Sequence, residues 1–113
     1  MSRSLICLAV LTVLTLGFAS SAAAQDQARG VKVYTDQKCS LCHSIAGKGN
    51  AKGALDGVGS KFTAAEIHEW IVDPAGMTAK HKAARKPAMP AKYASLPKED
   101  LDALVAYLSS LKK

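Results

Sequence analysis

Cysteine is scarce in this chain, at three in 113 residues: Cys7, Cys39 and Cys42. So low a count excludes a disulfide-framework scaffold. With no second Cys or Cys/His cluster, a structural zinc site would also lack its fourth ligand. Aromatic residues are few, 5% of the chain, and do not interleave with the basic residues, which argues against a nucleic-acid surface. No segment keeps the period-2 alternation of a half-buried strand. No apolar run reaches the roughly 20 residues of a membrane-spanning helix. Internal repeats, low-complexity stretches and a GxxxxGK[ST] phosphate loop are all missing.

What is present begins with a secretory leader. Arg3 supplies a positive start, Leu5 to Phe18 is an uncharged apolar run, and Ala22-Ala23-Ala24 puts small residues at a cleavage site. Residues 1–24 are therefore expected to be removed on export to the periplasm, leaving one domain, 25–113, with no stable membrane insertion. Cys7 leaves with the leader, so the mature chain keeps only Cys39 and Cys42. Losing Arg3 lowers the net charge from +6 to +5. A moderately basic surface steers the protein toward acidic partners. A mature chain this short has a thin core and usually needs a disulfide, metal or cofactor to stabilise it.

The rest reads as an all-α domain. A first helix is predicted from Gln27 to Gln37, with Gly30, Val31 and Tyr34 on or near one face. Glycines make Gly47 to Gly59 a loop. Thr63-Ala64-Ala65-Glu66 has the spacing of a capping box; the helix it opens carries Ile67, Trp70 and Ile71 and ends before Pro74. Ala75 to Ser95 reads as irregular. A last helix follows Pro97, with acids at its start, lysines at its end, and a stripe of Leu101, Leu104, Val105, Leu108 and Leu111.

Cys39-Ser40-Leu41-Cys42-His43 is the decisive motif, because C-x-x-C-H is the attachment signature of c-type haem. Two thiols three positions apart can form thioethers to the two vinyl groups on one porphyrin edge. The next residue, His43, can then bind the iron. A thioredoxin-like redox pair would need a strand–helix–strand setting that the chain lacks. Zinc, as noted, lacks ligands, and a chance match is the remaining alternative. Candidates for the second axial position are Met77, Met89, His68 and His81. Met89 is preferred, because Pro87 and Pro90 stiffen its loop. His68 and His81 read as surface residues.

On these residues the chain resembles the class I c-type cytochromes, the small His/Met monohaem electron carriers. Gly30 and Tyr34 match the family's N-terminal helix, and Tyr107 the aromatic of its C-terminal helix. Leu55 to Phe62 is similar to a loop covering one haem edge. Trp70 to Pro74, Met77 and Lys86-Pro87-Ala88-Met89-Pro90 look like the helix and methionine loop that close the pocket. The resemblance implies N- and C-terminal helices that cross, one haem c enclosed by loops, and iron held by His43 and Met89. It also implies one-electron transfer between redox partner proteins, without enzymatic activity, by a monomer. A gas sensor or peroxidase-like protein with an open sixth site is the alternative, and a subunit or docked partner of one dehydrogenase or oxidase is another. One departure stands out. Many members carry a proline after the glycine found here at Gly53, and its carbonyl accepts a hydrogen bond from the haem-binding histidine. Here the position is Ala54, which keeps a carbonyl but is expected to leave the loop less rigid.

Overall fold

The computed structural model describes residues 19–113. Most of the expected leader lies outside the described residues. Its last part, from Ala19, continues helix α1 (Ala19–Asp36), which passes Ala24 without a break. The helix thus starts earlier than its predicted Gln27. The alanine-rich stretch before that residue has high helix propensity and contains no breaker.

After α1 the chain turns through Lys38, in the left-handed region at φ 56°, into a 3-10 turn over Cys39–Leu41. Two tiny antiparallel strands follow, β1 (Ser44–Ile45) and β2 (Lys48–Gly49), pairing Ser44 with Gly49 and Ile45 with Lys48. A second 3-10 turn, Ala51–Gly53, leads to helix α2 (Val58–Lys61). Helix α3 (Ala64–Val72) starts at the expected capping box. Glu66 N–H donates to Thr63 Oγ1 at 3.2 Å, and Thr63 N–H donates to the Glu66 carboxylate at 2.8 Å.

The stretch expected to be irregular contains helix α4 (Pro74–His81) and a 3-10 turn, Ala91–Ser95. The proline that ends α3 also begins α4. At the first helical position its missing N–H is no loss, and the Asp73 carboxylate accepts from Gly76 N–H at 3.1 Å. Helix α5 (Lys98–Ser109) then runs to near the C-terminus, with Pro97 just before it.

Helices α1 and α5 cross, and α3 packs on α5. At the crossing a Cβ on Gly30 would overlap the Ala103 carbonyl oxygen and lie only 2.5 Å from Tyr107 Cβ, so only glycine permits this approach. Tyr34 meets Tyr107 edge to face, centroids 6.1 Å apart. Arg29 bonds Asp100 at 2.8 Å on the surface. The core is Val33 of α1, Ile67 and Ile71 of α3, and Leu101, Leu104, Val105 and Leu108 of α5. Leu111, expected on the same stripe, is half-buried beyond the helix end. The fold is all-α, with two two-residue strands and short 3-10 turns in the connections between the helices.

Candidate functional site

The 3-10 turn over Cys39–Leu41 decides how the motif is presented. Its period of three residues sets Cys42 one turn beyond Cys39, on the same side. The Cys39 carbonyl accepts from both Cys42 N–H, at 3.1 Å, and His43 N–H, at 2.9 Å. Both thiols are free and half-buried. Burial pushes the Cys39 thiol above its ordinary value, so it is held as S–H.

His43 is oriented from behind. Its Nδ1 lies 2.9 Å from the Gly53 carbonyl oxygen. A carbonyl only accepts, so Nδ1 carries the proton and Nε2 keeps a free lone pair. Burial lowers the affinity of the imidazole for a second proton. The Gly53 bond opposes that effect, and the nearby Arg85 charge adds to it. The hydrogen bond expected at Ala54 is therefore made one residue earlier. Ala54 itself sits at φ −58°, ψ 130°, where a proline ring would also hold it.

Asn50 ties this turn together, a role the sequence reading missed. Its N–H donates to the His43 carbonyl at 2.9 Å and the Ser40 carbonyl at 3.2 Å, and its side-chain amide donates to the Leu41 carbonyl at 3.2 Å. Gly49, at φ 109°, lets the chain pass so close that a Cβ there would overlap the His43 carbonyl oxygen. The glycine-rich composition was the only hint of such an approach.

Two cavities adjoin the motif. The first, about 140 Å³, is walled by apolar residues including Leu55, Val58, Phe62, Ile67 and Leu104. The second, about 180 Å³, is bordered by Cys42, Arg85, Pro87 and Pro90 among others. Cys39, His43, Trp70, Met89 and Tyr93 line both, so the two are parts of one site.

The other candidate ligands lie elsewhere. Met77 is buried but lines neither cavity. His68, half-exposed, lies 3.5 Å from Glu69. His81 is exposed, and its ring also packs on Phe62 and Trp70, at centroid distances of 5.3 and 5.6 Å. Among the described residues no cluster of three or more His, Cys, Asp or Glu could hold a metal by itself. No described helix is long and apolar enough to cross a membrane.

The donor set suits a large apolar group carrying a metal and a few hydrogen-bond acceptors. It offers two free thiols, one imidazole nitrogen, one thioether and an apolar wall. Tyr34 Oη and Trp70 Nε1 are buried with no protein partner, although both residues line the first cavity. Buried donors of this kind call for an acceptor, which the carboxylates of a haem would supply. Haem therefore fits the residues present.

Comparison with known proteins agrees. The family model for cytochrome c matches residues 27–112. The cytochrome c oxidase subunit 2 of Alkalihalophilus pseudofirmus is 32% identical over 93 residues, covering 74% of this chain and 25% of the relative. The chain thus spans about a quarter of that relative's length. No solved structure matches. The chain belongs to the cytochrome c family as a class I member, a family whose covalently bound haem c suggests electron transfer.

Proposed function

We propose that the mature chain, residues 25–113 after removal of the leader, is a periplasmic one-electron carrier whose haem is held by Cys39, Cys42, His43 and Met89. The supporting observation is that the CxxCH turn and Met89, from segments far apart in sequence, line one largely apolar cavity. When bound, the haem supplies the Fe(III)/Fe(II) couple. Cys39 and Cys42 would hold it covalently, through thioether bonds formed by their thiols. His43 Nε2 would bind the iron, and the Gly53 carbonyl keeps the proton on Nδ1. Met89 Sδ would be the second protein ligand to the iron and, as a soft donor, would favour the ferrous state and a high potential. With His43 and Met89 both bound to the iron, no position would be left for a substrate, and the group would serve electron transfer alone.

The partners are redox proteins with acidic faces. Lys80, Lys82, Arg85, Lys86 and Lys92 are all exposed near Met89 in sequence and offer the complementary charge. Similarity to part of an oxidase subunit supports an oxidase as one such partner.

The absorption spectrum of the matured protein, with and without Met89→Ala, tests this reading. Low-spin haem with the weak far-red methionine–Fe(III) band is expected, and the substitution should abolish that band. High-spin ferric haem and rapid CO binding in the unsubstituted protein would overturn it in favour of a gas sensor or peroxidase. Exchanging Lys82 and Lys86 for glutamate should slow salt-dependent electron transfer to an acidic partner, and unchanged rates would remove the docking face.

A further inference from the structure

Arg85 lies on the methionine segment yet reaches the opposite loop. A Cβ on Gly53 would overlap a guanidinium nitrogen of Arg85 as well as the Cys42 carbonyl oxygen, so the guanidinium rests directly on the Gly53 backbone. That backbone supplies the carbonyl bonded to His43 Nδ1. Arg85 also lines the second cavity beside Cys42, His43 and Met89. Among the described residues no protein carboxylate forms an ion pair with it.

We propose that Arg85 is a positioning residue that clamps the Gly53 loop behind His43 and sets a permanent positive charge there, favouring the ferrous state. The proposal rests on the reading that His43 binds the iron. The sign follows from electrostatics: a fixed cation penalises the oxidised site, which carries one more positive charge, more than the reduced one. Arg85 thereby ties the segment that carries Met89 to the loop that orients His43, so the two axial residues are coupled through one side chain.

The test uses the haem-loaded protein and the variants R85Q and R85K, with midpoint potentials measured by spectroelectrochemical titration at low and high salt. R85Q should weaken the reduced state about three- to tenfold at low salt, a tenfold change being 59 mV for one electron. The difference should shrink at high salt as the exposed charge is screened. R85K, which keeps the charge but not the planar contact, should stay within about twofold of the unsubstituted protein. A potential unchanged in R85Q, or an equal loss in R85K and R85Q, overturns the assignment to charge. Spectra taken in the same titration keep the two ideas apart. Absence of low-spin haem in the unsubstituted protein would count against His43 and Met89, whereas intact spectra with unchanged potentials would count against Arg85 alone.

Discussion

The crossing of α1 and α5 and the loop shell around the cavity are held by different means. At the crossing, backbones approach at Gly30 and five residues of α5 are buried. In the shell, only Ser44 is buried between Lys38 and Phe62, and no residue is buried between Lys82 and Pro97. The shell keeps its shape through hydrogen bonds from Asn50 and to Gly53. The contrast shows where stability originates. The helices bury their own apolar surface, whereas the loops have little to bury except against a bound group.

Removing that group should break the contrast most sharply. Exchanging both Cys39 and Cys42 for alanine is expected to abolish covalent haem, read as loss of haem staining on a denaturing gel. Amide exchange should then rise across 38–62 and 82–97 while α1 and α5 stay better protected. Uniform loss of protection would show that the two regions form one cooperative unit. The next largest effect lies at the crossing. Gly30→Val should cost about 2–3 kcal/mol in guanidinium unfolding through overpacking against Ala103 and Tyr107, with the haem spectrum kept in the molecules that fold. Smaller still, Thr63→Ala removes the cap of α3 and should cost about 1 kcal/mol, lowering the melting temperature without moving the potential.

The helical scaffold was largely legible because periodicity reports burial. Leu101, Leu104, Val105 and Leu108 recur at helical spacing and are buried as read, and the Thr63/Glu66 box marks the start of α3. Helix α4 was missed because Pro74 and Gly76 look like loop residues until Asp73 is seen capping them. The CxxCH motif was legible because its five residues are contiguous. Asn50 and Arg85 were not. Their contacts lie with the Cys39–His43 turn and with Gly53, at separations set by the path of the loops, and no short-range pattern records that path.

Ala54 carries a consequence for the unfolded chain. It already holds a proline-compatible conformation, and its N–H donates no backbone hydrogen bond among the described residues. Ala54→Pro should therefore leave the His43–Gly53 bond in place and stabilise the protein by about 0.4–1 kcal/mol, by narrowing the unfolded ensemble. Thermal unfolding at constant haem content would measure it. A proline at this position would thus act on the unfolded chain, leaving fewer conformations to lose on folding, while the Gly53 carbonyl keeps its bond to His43.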